Sequence, residues 1–236
     1  IETLSFRMKK VGEEAFFELP IGILLFDDQY KIEWANPFVN QMLNVDSLVG
    51  EDMLILSDGL NSLIKSEEKT EITITVRDRK YRVLFKREEK LLYFFDVTEQ
   101  LEIQTQYYAD RTVLAILFID NYDEITSTMD DQARSMANSL VTSIINEWAA
   151  REGIYVKRIA SDRFIAVLNE SILGTLENEK FSILDAVREK TANINMSLTL
   201  SIGVGVESNS LIELGQLAQS SLDLVLGRGG DQVAIK

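Results

Sequence analysis

Hydrophobic and polar positions follow two regimes along this chain. From Phe16 to Val97 the apolar residues come in short runs and in alternation. Ile21–Phe26 is an apolar run of strand length, Asp27-Asp28-Gln29 supplies turn chemistry, and Lys31–Trp34 resumes the strand, so the segment predicts a hairpin. Asn36-Pro37 stops it. Phe38, Met42 and Leu43 then recur at near-helical spacing, and short helices follow to about Lys65. Ile72, Ile74 and Val76 alternate with Glu71, Thr73 and Thr75, the pattern of a strand with one face in water. Tyr81–Phe85 and Leu91–Phe95 are two further strands around polar turns. The order is two strands, short helices, three strands, which makes a small α+β unit and an α+β fold class for the chain.

The second regime alternates strand and helix from about Arg111 to Lys236. Val113–Ile119 is almost wholly apolar, as expected of a strand buried on both faces. The spacing predicts a helix over Asp131–Arg151 and a hairpin of Tyr155–Ile159 with Phe164–Leu168. It then predicts a helix over Glu179–Ala192, a strand over Ser197–Val206, a helix over Leu211–Leu226 and a last strand over Gln232–Ile235. This is an α/β arrangement with a mixed central sheet. Between the regimes, Val97, Leu101, Gln104 and Tyr108 share one helical face, and the stretch lacks Gly, Pro and Ser, so it reads as a connector helix. At the start, Ile1, Leu4, Met8 and Val11 form one short apolar stripe. The expected organisation is therefore a leading helix over 1–14, a first domain over 15–98, a connector helix over 99–110 and a second domain over 111–236.

Composition narrows the chemistry. The 236 residues include no cysteine and no histidine, and the formal net charge is −14. Disulfides, thiolate nucleophiles, imidazole acid–base catalysis and His-ligated metals are excluded. The acidic balance argues against duplex nucleic acid as a partner. No apolar run is long enough to cross a bilayer, so the expected piece is soluble and cytoplasmic. What remains is carboxylates, hydroxyls, Lys, Arg and the backbone. Asp120 directly follows the buried strand, and Asp162 lies at the tip of the 155–168 hairpin. If those strands are neighbours, both residues emerge at one end of the sheet, where two hard oxygen donors suit a magnesium or manganese ion. Ordinary turn use of Asp accounts for the same two positions.

Several stretches carry a family resemblance. Val113–Asp120 with Asn121-Tyr122-Asp123 is similar to the first strand and acidic loop of GGDEF domains. Arg158-Ile159-Ala160-Ser161-Asp162-Arg163-Phe164 resembles their signature hairpin, Leu198–Gly205 their Thr-x-Ser-Ile-Gly-Val strand, and Leu211–Val233 their closing helix and glycine turn. The departures are as informative. Ala160 and Ser161 stand where the family has two glycines, Arg163 replaces the second acid, and Tyr122 falls at an acidic-loop position. A side chain thus intrudes where glycine allows close backbone approach. The resemblance implies a degenerate domain that is not a diguanylate cyclase. It keeps Asp120 and Asp162 as metal ligands, with Asn121, Tyr122, Asp123 and Arg228 as candidate nucleotide contacts, and so allows weak magnesium-dependent ATP binding or hydrolysis.

The first domain resembles a PAS domain in Pro20–Asp27, Ile32–Pro37 and the exit motif Asp96-Val97-Thr98-Glu99. Phe38, Met42, Leu43 and Met53 are the candidate lining of a ligand pocket, and the same residues also suit an ordinary packed core. PAS, connector and degenerate GGDEF together resemble the membrane-bound cyclic-di-AMP phosphodiesterases of GdpP/YybT type. That resemblance implies upstream transmembrane helices and a downstream DHH/DHHA1 phosphodiesterase module in the parent, and a homodimer paired through the leading and connector helices. It also allows a haem in the PAS domain without histidine ligation, held by Tyr, Met or Lys or with the iron lacking a protein ligand on one or both faces. The function it implies is regulatory, with a weak ATPase or a dimerisation scaffold as alternatives.

Overall fold

A computed structural model describes residues 17–236, so the leading helix expected over 1–14 lies outside the described residues. The chain divides into two compact units, Ile1–Gln104 and Thr105–Lys236.

In the first unit, β1 (Gly22–Phe26) and β2 (Ile32–Ala35) form the expected hairpin. After them come α1 (Pro37–Leu43), a 3₁₀ turn at Met53–Ile55 and α2 (Gly59–Lys65), then β3 (Glu71–Val76), β4 (Arg79–Lys86) and β5 (Leu91–Asp96). The sheet is antiparallel in the order β2-β1-β5-β4-β3. The break at Asn36-Pro37 has a structural cause. Asn36 is fully buried; its Oδ1 accepts from Ile23 N at 3.0 Å and caps α1 through Val39 N, while its Nδ2 donates to Ile21 O at 2.8 Å. Pro37 then opens the helix, where its missing N–H has no role. Leu24, Phe26, Met53, Leu60, Leu63, Val83 and Phe94 fill the space between sheet and helices.

The helix α3 (Thr98–Ala109) spans the division between the units, and the second unit goes on with β6 (Thr112–Ile119), α4 (Tyr122–Thr126), α5 (Asp131–Glu152), β7 (Tyr155–Arg158) and β8 (Arg163–Asn169). Then come α6 (Glu170–Asn178), α7 (Ile183–Ala192), β9 (Leu200–Gly205), α8 (Leu211–Gly227) and β10 (Val233–Ile235). The sheet order is β10-β9-β6-β8-β7, antiparallel except for the parallel β9–β10 pair. β6 is central and buried on both faces, as its composition predicts. Val113, Ala115, Leu117 and Ile119 pack with Val141, Ile145 and Trp148 of α5, while Leu114 and Ile116 pack with Leu214, Ala218 and Leu222 of α8. Gly203 sets the close approach of α8: a Cβ there would lie 2.2 Å from the Ala218 carbonyl oxygen. Two helices were not expected from the pattern. One is the single turn of α4. The other is α6, separated from α7 by Lys180 and Phe181, both at positive φ, so the expected helix over Glu179–Ala192 begins only at Ile183. Among the described residues, no helix is long and apolar enough to cross a membrane.

Candidate functional sites

The antiparallel β6–β8 pair brings the ends of the two motifs together. Ile119 N donates to the Asp162 carbonyl at 2.8 Å, so Asp120 and Asp162 do emerge at one end of the sheet. The Asp120 carboxylate is taken up by protein partners. Strand alternation puts Asp120 on the α8 face, with Leu114, Ile116 and Phe118. There its Oδ2 accepts from Thr199 Oγ1 at 2.9 Å and Asp231 N at 3.0 Å, and its Oδ1 accepts from Ser201 Oγ. Gly230, at φ +76°, folds over it: a Cβ there would lie 2.8 Å from Asp120 Cγ. The Asp120 side chain thus ties β6 and β9 to the glycine turn after α8. Asp162 is half-buried, and among the described residues its carboxylate has no hydrogen-bond or ion-pair partner. Among the described residues, no group of three His, Cys, Asp or Glu side chains can hold a metal ion. A magnesium ion held by Asp120 and Asp162 would need its remaining ligands from backbone carbonyls, phosphate or water.

The candidate nucleotide contacts have structural partners as well. Asn121 Nδ2 donates to Ser197 O at 2.6 Å and its Oδ1 accepts from Thr199 N at 3.1 Å. Tyr122 is buried and donates to Asn138 Oδ1 at 2.8 Å. Asp123 is exposed in the first turn of α4, and Arg228 is exposed at the end of α8. The residue organising this rim is Arg158. Its Nε donates to Ala160 O at 3.1 Å, and its Nη1 to Thr142 Oγ1 at 2.9 Å and Asn138 O at 3.3 Å. Its Nη2 donates to Asn138 Oδ1 at 2.8 Å and also to Ser161 O. The guanidinium lies 5.3 Å from the Phe164 ring centroid. This one side chain fastens the signature hairpin to α5. Sequence reading missed its partners; the i, i+4 spacing of Asn138 and Thr142 was the available signal. Next to it, Arg163 pairs with Phe118 across β6–β8 and sits 5.5 Å over that ring.

In the first unit a cleft of about 430 Å³ opens between α1 and the β3–β4 turn. Phe38 and Met42 line it, together with Val76, Arg77, Arg79, Tyr81 and Asp96. The other two candidate pocket residues do not: Met53 is fully buried in the core and Leu43 is partly buried against it. Arg79 Nη1 pairs with Asp96 Oδ2 at 2.7 Å, and Asp96 Oδ1 accepts from Thr98 N at 3.0 Å. Burial pushes the Asp96 carboxyl up, but the Thr98 hydrogen bonds and Arg79 outweigh it and hold the group below its ordinary value. Burial, then the Asp96 charge, raises the Tyr81 phenol. Tyr81 and Met42 are donors of the kind a haem without histidine would need, and Arg77 and Arg79 are cations suited to its carboxylates, so the donor chemistry of the cleft fits that group.

A small antiparallel sheet with short helices, followed by a helix and a mixed-sheet domain with an altered hairpin, defines a PAS–GGDEF-like architecture. The chain belongs to the GdpP-like cyclic-di-AMP phosphodiesterase family: the family's GGDEF domain matches residues 117–236 and its PAS domain residues 8–97. It is 61% identical to the cyclic-di-AMP phosphodiesterase GdpP of Bacillus subtilis (strain 168) over 236 residues, which is 100% of this chain and 36% of that protein. It is 47% identical to the cyclic-di-AMP phosphodiesterase PdeA of Listeria monocytogenes serotype 1/2a, again over 100% of this chain and 36% of that protein. A solved GtYybT PAS homodimer is 42% identical, covering 39% of this chain and 82% of its own, at a TM-score of 0.30. The chain thus spans about a third of the length of these curated relatives.

Proposed function

We propose that this chain is the regulatory PAS–degenerate GGDEF portion of a membrane-anchored cyclic-di-AMP phosphodiesterase. In this reading the PAS cleft takes a small ligand, α3 passes the change on, and the degenerate domain modulates a downstream DHH/DHHA1 module that performs the hydrolysis. The observation that carries the reading is the state of the signature rim. Asp120 is committed to Thr199, Ser201 and Asp231, and Arg158 locks the hairpin to α5. That rim is tied together by its own hydrogen bonds, and among the described residues no group of three His, Cys, Asp or Glu side chains could hold a metal ion for phosphoryl transfer. The absence of histidine also removes any Asp-His-His motif from this sequence. Haem is one candidate occupant of the cleft; bound there it would supply redox or gas-binding chemistry, with Met42 or Tyr81 as candidate holding residues.

α3 supports pairing with a second copy: it buries no residue, and it presents Ile103, Tyr107 and Tyr108 to solvent. The test is made in the full-length enzyme, comparing cyclic-di-AMP hydrolysis with and without Ile103→Asp. A changed rate or a lost ligand response is expected. Wild-type hydrolysis with wild-type ligand response would remove the connector from the mechanism. Calorimetry with ATP, with and without magnesium, is the second arm; magnesium-dependent turnover abolished by Asp162→Asn would replace the regulatory reading of the rim with a catalytic one.

A further inference from the structure

We infer that the PAS cleft is selective for a small organic anion with an apolar body, and that this anion competes with Asp96 for Arg79. The inference rests on the cleft being the sensing site proposed above. Its floor is apolar: Phe38 and Tyr81 meet edge to face at 6.3 Å, with Met42 and Val76 beside them in the lining. Its charged lining sets Arg77 and Arg79 against Asp78 and Asp96. The Arg77 guanidinium donates to Leu43 O, which leaves Arg79 as the exchangeable cation. Although Arg79 is paired with Asp96, its side chain is 67% exposed against 25% for Asp96, so the Arg79 end of the pair is open to another carboxylate.

The two sides of that pair differ. A second cleft, of about 600 Å³, shares Asp78, Arg79 and Asp96 with the first but is otherwise lined by Thr98, Glu99 and Glu102. Anions are therefore sorted to the Phe38 side and repelled from the Glu102 side. The groups that act on Arg79 are Asp96, Tyr81 and Glu102. Asp96 is also part of the start of α3. Its second oxygen holds Thr98 N, Thr98 Oγ1 accepts from Lys80 N at 2.8 Å, and Val97 N donates to Lys80 O at 2.9 Å. A ligand carboxylate that takes Arg79 leaves Asp96 attached to the first turn of α3 alone. The charge at the helix start, where negative charge is favourable, is then no longer neutralised. One exchange links occupancy of the cleft to the helix that leaves the domain.

The experiment titrates the 236-residue chain with 2-naphthoate and, as the uncharged control, 2-naphthalenemethanol. Naphthoate is expected to bind more tightly than the alcohol. Asp96→Asn removes the internal competitor and should tighten naphthoate about two- to fivefold, the range expected for an exposed ion pair. Arg79→Gln should erase the preference for naphthoate and leave alcohol binding unchanged. Hydrogen exchange at Thr98–Leu101 should respond to naphthoate and not to the alcohol. Equal affinities for the two probes, no binding of either, or an unchanged or weaker naphthoate affinity in a folded Asp96→Asn chain would overturn the inference. Should Asp96→Asn fail to fold, Arg79→Gln decides alone. Naphthoate binding that ignores both substitutions refutes the exchange and leaves the regulatory reading standing, because that reading is decided by hydrolysis in the Ile103→Asp enzyme.

Discussion

Asp120 separates two accounts of the second unit, one in which it binds a metal and one in which it holds the fold. Asp120→Ala removes an anion that accepts from Thr199 Oγ1, Ser201 Oγ and Asp231 N. Losing a hydrogen bond to this half-buried carboxylate costs about 1–3 kcal/mol when the partner is left unsatisfied. Three full losses are not expected. Asp231 N also donates to Ser201 Oγ at 3.0 Å, and the half-buried Thr199 reaches water. The working figure is thus about 3 kcal/mol for Asp120→Ala. Asp120→Asn keeps one acceptor for Thr199 and Asp231 and turns its amide toward the Ser201 hydroxyl, which can accept, so it should cost about 1 kcal/mol. The assay is urea unfolding followed by Trp148, buried in the core of this unit, in a Trp34→Phe background that silences the other tryptophan. Millimolar magnesium should shift none of the transitions. The reasoning fails if Asp120→Ala costs under about 1 kcal/mol, or if magnesium stabilises the wild type and not Asp120→Asn.

Two further outcomes follow from the same geometry. Gly203→Ala forces a methyl group against the Ala218 carbonyl, so α8 must retreat from β9; a loss of about 3 kcal/mol is expected in the Trp148 transition, with the first unit's transition unmoved. Asp96 is held below its ordinary 3.8, so its stabilising contribution is complete above that value and is lost as pH falls through the folded-state value. Asp96→Asn should therefore flatten the acid limb of the urea midpoint measured from neutral pH downward, and an unchanged limb would show that the Arg79–Asp96 pair adds nothing.

Much of this protein is legible in one dimension. The alternation at 71–76, the apolar run at 113–119 and the Asn36-Pro37 stop each report a local cause, whether a half-wet strand, a doubly buried strand or a capped helix start. The altered hairpin residues Ala160, Ser161 and Arg163 are equally plain, because a substitution within a motif needs no third dimension to be seen. The positive-φ break at Lys180 and Phe181 escaped, since neither residue type announces a left-handed backbone. Side-chain direction escaped too. Adjacent residues on a strand face opposite ways, so knowing that Asp120 and Asp162 share one end of a sheet does not say whether their carboxylates meet. Only the register of β6 against β8 and β9 decided that Asp120 turns to Thr199 and Ser201, and only the packing of α5 made Arg158 the fastening of the rim. The sequence alone determined which elements form and which catalytic groups are missing, because these depend on residue type and spacing. The tertiary structure decided which polar groups are left free to act, because that depends on partners far away along the chain.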